Sequence, residues 1–340
     1  MKKVIHLIPF DGIGGVESAA RTMAGLVSYD INFEILYIFR KQNRRVNYIS
    51  SLSILRIFTS LYKLYIAKPD LIIVSLWRSC IVAILFKLLR PKSKIVLFLH
   101  YPHHYHLIDK ALTTIVSLMC ISIWADSKDT LNSRIPSFPL SKSHVISFVA
   151  RRLKPLQNRN LKPNFIFWGR LHEQKSISRA IEIFADIQSQ YQQATYTIIG
   201  PDGGELSHLQ KQVKELGIEY AVNFTGPQDL KSIKEFSNNA SFYLQTSRLE
   251  GMAMSVVEAM QLGLLPVVTP VGEIKNYCEH LKNSILVTEN KSAVSSVIRL
   301  IENKYLYEEM KNKAIEKWKD YEIYSESVLR ASRIVLNLSN

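Results

Sequence analysis

In the stretch SRLEGMAMSVVEAMQLG, residues 247–263, Glu250 and Glu258 stand eight positions apart, with Gly251 directly behind the first. Two carboxylates bracketing a segment that runs on into the apolar LLPVVTP either hold specific polar partners or line the exposed face of an ordinary amphipathic helix. The run SFYLQTS before them reads as a strand, so Glu250 falls in the loop that follows it. Residues 251–253 are expected to begin a helix that contains Glu258. The unpaired amides around Met254 and Ser255 would then face phosphate, while the two acids accept hydrogen bonds from hydroxyls on either side.

Three other strand ends carry chemistry-bearing residues. After KVIHLIP comes DGIGGVESAARTM, where Gly12, Gly14 and Gly15 let backbone approach a ligand. A helix from about Val16 leaves amides there for an anion; a tight strand–helix turn explains the glycines equally well. Glu17 stands where a third glycine would complete a dinucleotide fingerprint, so that reading is excluded. After NFIFW, the segment GRLHEQKS places Gly169, Arg170 and Lys175 at a strand end just before a helix. A guanidinium and an ammonium on different oxygens suit a diphosphate, although lone surface cations are common. After YTIIG, Gly200, Gly203 and Gly204 form a loop without side-chain bulk, either a bed for a base or ribose or a plain turn.

These loops need strands to hold them, and the chain supplies two series. KVIHLIP, INFEILYIF, LIIVSL, KIVLFLH, CISIWADS and SHVISF alternate with helical patterns up to about residue 149. The polar, proline-containing VARRLKPLQNRNLKPN then reads as a linker. NFIFWG, TYTIIG, VNFTG, SFYLQTS, LLPVVTP and SILVT follow, again with helices between. Such alternation predicts an α/β protein of parallel sheets covered by helices, and two series predict two Rossmann-like domains facing one another. A length of 340 residues agrees with two domains. Ligands of such sheets bind beyond the carboxyl ends of the strands, which is where the residues above fall.

Charge separates the halves. Residues 1–155 hold 22 Lys and Arg against 8 Asp and Glu, so the whole net charge of +14 falls there. Between Glu34 and Asp70 lie Arg40, Lys41, Arg44, Arg45, Arg56, Lys63 and Lys68 with no acid, interleaved with aliphatic and aromatic residues. Residues 40–68 thus read as a surface for an anionic membrane, with a solvated helix face and a nucleic-acid surface as the other readings. LIIVSLWRSCIVAILFKLLR (71–90) and ALTTIVSLMCISIWA (111–125) are interrupted or too short to cross a bilayer, and each is better divided between a strand and a helix. No export signal is seen at the N-terminus. Cys80, Cys120 and Cys278 match no metal or disulfide spacing, which points to a reducing compartment.

Taken in order and spacing, GGVE, GRLHEQKS, IIGPDGGE, EGMAMSVVEAMQLGLLPVVTPVG and NSILV resemble the retaining glycosyltransferases of family 4, with a GT-B fold, strongly over 164–290 and weakly over 1–150. The Glu-x7-Glu pair is the most specific part. The resemblance implies a GT-B architecture: an acceptor domain (1–155) and a nucleotide-sugar domain (156–320) across a cleft, and a C-terminal helix (321–340) crossing back to the first. It also implies that Glu250 reaches hydroxyls of the transferred sugar and Glu258 the ribose, and that Arg170 and Lys175 neutralise the leaving diphosphate. Gly14 and Gly15 meet phosphates and acceptor, and His100, closing the fourth strand, touches the donor sugar. Neighbours in HYPHHYH offer the same side chain. The donor site then takes in Gly169, Gly200, Gly203, Gly251, Met252, Ala253, Met254 and Ser255.

No Asp-x-Asp is present to bind a divalent ion, so neither metal nor cofactor is expected, and cations with helix amides must meet the leaving charge. Ala253 departs from the family's usual glycine or proline, and ISFVARRL from its usual interdomain turn. The expected activity is transfer of a hexose or N-acetylhexosamine, from a UDP-sugar by preference, to a lipid-linked or lipopolysaccharide-type saccharide. This implies a cytoplasmic enzyme of bacterial surface-polysaccharide assembly on the inner membrane face, with no nucleic-acid partner. A nucleotide-sugar epimerase of the same fold, or a non-catalytic basic membrane- or nucleic-acid-binding protein, are the alternatives.

Overall fold

The computed structural model of the chain describes all residues except 13, 14, 25, 27, 40–50, 135–138, 140, 141, 158, 159, 339 and 340. Gly14 and the first part of the basic segment, including Arg40, Lys41, Arg44 and Arg45, therefore lie outside the described residues. The chain divides into two units, one of Met1–Arg151 with Glu322–Asn340, the other of Arg152–Tyr321.

In the first unit, six β-branched runs form β1 (Lys2–Phe10), β2 (Ile31–Phe39), β3 (Leu71–Ser75), β4 (Ile95–Leu99), β5 (Ser122–Ala125) and β6 (Ser143–Val145). They pair in parallel in the order β2-β1-β3-β4-β5-β6. Every residue of β3, β4 and β5 is buried, as a sheet covered on both faces requires. The connecting helices are α1 (Gly15–Arg21), α2 (Ser51–Ala67), α3 (Trp77–Leu89), α4 (Leu107–Met119) and α5 (Lys128–Arg134). The apolar run 71–90 divides into β3 and α3, and 111–125 into the end of α4 and β5. Among the described residues no helix is long and apolar enough to cross a membrane.

The second unit repeats the plan with β7 (Phe165–Trp168), β8 (Tyr196–Ile199), β9 (Val222–Gly226), β10 (Phe242–Gln245), β11 (Leu265–Val268) and β12 (Ile285–Leu286), parallel in the order β12-β11-β10-β7-β8-β9. Helices α6 (Ile177–Gln188), α7 (Leu206–Glu215), α8 (Leu230–Ser237), α9 (Met254–Leu262), α10 (Ile274–Tyr277), α11 (Asn290–Glu302) and α12 (Lys304–Glu316) connect and flank them. The strand order reverses between β1 and β3 in one sheet and between β7 and β10 in the other. At such a point neighbouring connections leave on opposite faces and a crevice opens at the carboxyl edge.

The last helix, α13 (Tyr324–Leu336), belongs to the first unit. Its Tyr324 amide donates to the Val149 carbonyl at 2.7 Å, and its ring lies 5.4 Å from that of Phe148. Arg333 grips Asp30 with two hydrogen bonds of 2.8 and 3.1 Å. The hydrogen bond from Arg333 holds the Asp30 carboxyl well below the usual carboxylate range, against the opposing effect of burial.

A depressed carboxyl pKa stabilises the fold above the ordinary Asp range and loses that effect as pH falls through it. Arg333→Ala should lower the thermal midpoint by about 2–4 °C, equivalent to roughly 1 kcal/mol. Calorimetry against pH should show the gap from wild type closing below about pH 4. A gap unchanged at pH 2 would show that the pair does not hold α13.

Candidate active site

The site in the second unit is built from the two loops that flank its switch point, one after β7 and one after β10. After β7 the chain passes Gly169 and the exposed Arg170, then makes a short 3-10 turn, Glu173–Lys175, that ends on Ser176 in the left-handed region (φ 48°). This turn aims Lys175 at the other loop. Gln174 ties the two together, its carbonyl accepting from the Arg248 amide at 2.9 Å and its side-chain amide donating to the Leu249 carbonyl at 2.8 Å. Thr246 adds a bond to the Ser176 carbonyl at 2.7 Å. On the surface side, Arg248 pairs with Glu173 at 2.6 Å.

Glu250 is 6% exposed and needs partners, because an ionised carboxylate out of water is costly without them. Its Oε1 accepts from Lys175 Nζ at 2.6 Å and from Gln245 Nε2 at 3.0 Å. The orientation of Gln245 is fixed from behind. Its Oε1 accepts from the Tyr243 hydroxyl at 2.7 Å and from Ser255 Oγ at 3.0 Å, so its NH2 group must face Glu250. Burial pushes the Tyr243 phenol well above its ordinary range, so it remains a donor. Arg170, by contrast, makes no hydrogen bond or ion pair among the described residues.

Glu250 and Glu258 are separated by a backbone device. Residues 251–253 are not helical, contrary to the expectation from sequence: α9 begins at Met254, and Ala253 stands before it in the left-handed region at φ 54°. A left-handed residue cannot continue a right-handed helix, which sets the boundary there. No side chain caps α9, so its first amides point outward in the way that favours anions. Glu258, one turn along α9, accepts from Trp168 Nε1 at 3.1 Å, which ties α9 to the end of β7.

Three glycines in this unit, Gly200, Gly203 and Gly272, stand where backbone packs too closely for a side chain. A Cβ on Gly272 would lie 2.1 Å from the Glu250 carbonyl oxygen, and the next amide, of Glu273, donates to the Gly251 carbonyl at 3.0 Å. A Cβ on Gly200 would lie 1.7 Å from the Gly169 carbonyl oxygen, and one on Gly203 would lie 2.5 Å from that of Leu171. Backbone thus fills the space a side chain would take at Gly200 and Gly203, where the sequence left open a bed for a base or ribose.

Of the first-unit candidates, Gly15 is the first residue of α1, and His100 lies directly after β4. The other histidines of HYPHHYH stand in different settings. His106 caps α4 by accepting from the Asp109 amide at 3.0 Å, and the His103 carbonyl accepts from Arg134 at 2.8 Å. His104 lies 3.9 Å from the Asp109 carboxylate. His100 Nε2 meets Ser75 Oγ at 2.8 Å, and the same oxygen lies 2.7 Å from Nε2 of His6, which is wholly buried within β1. Burial holds both imidazoles below their ordinary range, His6 at about 3 and His100 well below, so both are neutral at physiological pH.

The structure therefore brings together Arg170, Lys175, Glu250, Glu258 and residues 251–255 in one unit, and places His100 and Gly15 at the strand edge of the other. Sequence reasoning passed over Gln245, Trp168, Gly272, Ser75 and His6. Gln245 and Ser75 were within reach, being polar residues at the carboxyl ends of strands; His6 sits mid-strand and carried no such signal.

A model of the family described as glycosyl transferases group 1 matches residues 151–317. An uncharacterized glycosyltransferase of Haemophilus influenzae is 27% identical over 175 residues, 51% of this chain and 48% of that protein, so the chain spans about half that relative's length. The amylovoran biosynthesis glycosyltransferase AmsD of Erwinia amylovora is 24% identical over 284 residues, 76% of this chain and 78% of that protein. Among solved structures, Anabaena HepE in complex with UDP and glucose is similar with a TM-score of 0.77 at 17% identity, covering 99% of both chains. The architecture is that of the GT-B fold, and the family match and relatives support a glycosyltransferase of that type.

The left-handed Ala253 predicts a local strain of roughly 1 kcal/mol. Ala253→Gly should relieve it and raise the thermal midpoint by about 2–4 °C, read by calorimetry. An unchanged or lower midpoint would show that the backbone there is unstrained.

Proposed function

We propose that the chain transfers a hexose or N-acetylhexosamine from a nucleotide sugar, with UDP favoured, to a saccharide acceptor with retention of anomeric configuration. The observation that carries this reading is the grouping at the second switch point: Arg170, unpaired among the described residues, Lys175 held on buried Glu250, and an uncapped helix start between Glu250 and Glu258. In this reading the cations and aligned amides meet a diphosphate, and the carboxylates on either side accept hydrogen bonds from hydroxyls. In this reading Arg170 and Lys175 meet the leaving diphosphate, Glu250 the sugar hydroxyls and Glu258 the ribose. His100 meets the donor sugar, and Gly14 and Gly15 the phosphates and acceptor. The HepE complex with UDP and glucose supports the donor class, and the name of AmsD supports a polysaccharide product.

No divalent ion is assigned a part, since fixed cations and amides can stabilise the departing charge. A phosphate oxygen of the leaving group can take the acceptor proton on the same face, so no side-chain nucleophile is needed. The lipid-linked or lipopolysaccharide-type acceptor, and a place on the inner membrane face, are supported by α2. It exposes Ile54, Leu55, Phe58, Tyr62, Tyr65 and Ile66 beside Arg56 and Lys63, and it carries no acid. Arg90 of the first unit lies 4.5 Å over the ring of Tyr65. An apolar stripe interleaved with cations matches an anionic bilayer better than a nucleic acid.

The enzyme should release UDP slowly from one of a panel of UDP- and GDP-sugars in the presence of EDTA. Glu258→Ala and Lys175→Met should each lower kcat/KM about 100-fold, or nearly 3 kcal/mol in transition-state stabilisation. Conversion of the donor to another sugar nucleotide without transfer would favour an epimerase. No turnover across the panel would favour a binding protein.

Flotation with vesicles tests the surface separately. Binding to anionic vesicles should weaken as salt rises, and Phe58→Ser with Tyr62→Ser should reduce it. No binding at low salt would remove the membrane from this reading and leave the transferase intact.

A further inference from the structure

His6, Ser75 and His100 form a hydrogen-bonded row in the first unit, starting inside β1, passing through the end of β3 and ending just beyond β4. Each end of the row has a loose nitrogen. Nδ1 of His6 and Nδ1 of His100 are both buried without a hydrogen-bond partner among the described residues. Around them the packing is aromatic: Phe33 and Phe98 flank His6, while Phe98 and Phe148 flank His100.

The hydrogens of the row can be counted. Two neutral imidazoles and one hydroxyl supply three, and the two bonds through Ser75 Oγ consume two. One hydrogen remains, and it must sit on Nδ1 of either His6 or His100. The serine can donate to only one ring and accept from the other, so its direction and the position of the spare hydrogen are one choice. Buried N–H groups without an acceptor are rare in folded proteins, whereas a bare nitrogen lone pair is tolerated better.

His6 is fully buried in mid-strand, and among the described residues nothing accepts from its Nδ1. His100 is only partly buried and stands at the carboxyl edge of the sheet, beside the switch point between β1 and β3, where ligands of such sheets bind. The favoured arrangement has His6 Nε2–H donating to Ser75, Ser75 donating to His100 Nε2, and the spare hydrogen on His100 Nδ1.

We propose that His6 and Ser75 are positioning residues that hold His100 as its Nδ1–H tautomer, a neutral donor for an oxygen of the ligand bound at this edge. In the reaction proposed above that oxygen is a hydroxyl of the donor sugar, and only the kinetic part of the inference rests on that reading. Burial, then the positive charge His6 would bring, then Arg134 all keep His100 from protonating. The ring thus presents a hydroxyl with a fixed neutral donor.

Nitrogen-15 NMR of the histidine rings in the full-length protein tests the tautomers without any substrate. Wild type should show His100 protonated on Nδ1 and His6 on Nε2. In His6→Phe and in Ser75→Ala the His100 signals should move toward a mixture of tautomers. His6→Gln, whose side-chain amide can replace Nε2–H, should keep the wild-type pattern. Donor turnover should fall about tenfold in kcat for His6→Phe, with KM within about twofold, and should recover in His6→Gln.

The thermal midpoint of His6→Phe should equal or exceed that of wild type, which separates positioning from support of the fold. His100 protonated on Nε2 in wild type, or an unchanged tautomer in Ser75→Ala, would overturn the proposal. If wild type turns over no sugar nucleotide, the function proposed above fails while the ring spectra still decide this one.

Discussion

A buried carboxylate is the constraint around which the second unit is organised. Glu250 must be held, since an unpartnered charge at that depth would cost more than most single interactions return. Holding it takes Lys175 from the β7 loop and Gln245 from the end of β10, and Gln245 can offer its NH2 group only because Tyr243 and Ser255 occupy its oxygen. Loops that supply such partners must be fixed relative to one another, and the bonds from Gln174 and Thr246 do this. The Lys175–Glu250 pair is weak evidence for stability, because burying both charges offsets most of their attraction. In the function proposed above, it is a pair of groups stored in working positions. A ligand can then exchange partners with them at little cost in reorganisation, since the pair's desolvation has already been met by folding.

Backbone packing supplies the precision that side chains alone would not. Gly272 lies so close under the Glu250 carbonyl that any larger residue would displace the carboxylate's own loop. Gly200 and Gly169 meet in the same way where β7 and β8 end. Ala253 takes a conformation better suited to glycine, and the result is an abrupt start to α9 directly behind Glu250. Each of these positions gives up ease of folding for placement at a strand end, the pattern expected of sites built at the edge of a rigid sheet.

The elements that hold the site were largely visible in the sequence, and the reasons the rest was not are specific. All twelve strands appear where β-branched runs predicted them, because a sheet buried on both faces needs continuous apolar segments and few other structures do. The division of 71–90 and 111–125 into strand and helix followed from length and interrupting charge. The sequence places the start of α9 too early, at 251–253, because an alanine carries no signal for the left-handed conformation that sets the boundary at Met254. The carboxylates and cations could be named from their positions after strands. That Lys175 would pair with Glu250 could not, since pairing depends on the 3-10 turn at Glu173–Lys175 and on Ser176 taking a positive φ.

His6 was invisible for the opposite reason. Within KVIHLIP it interrupts an apolar strand without breaking the pattern, as any tolerated core histidine would. Only the meeting of three strands at one serine hydroxyl gives it meaning, and the register of β1 on β3 creates that meeting: His6 pairs with Ile73, one step along the same face from Ser75. A one-residue slip would turn the imidazole to the other face and leave Ser75 with a single partner. The ring's position is thus a property of the sheet, while its hydrogen is a property of the row. The two together carry a constraint from the middle of the core to the edge where a ligand would bind, over one side chain from each of three neighbouring parallel segments. A polar group retained at that depth without charge lowers stability relative to an apolar one, so its presence argues for what lies at the other end of the row.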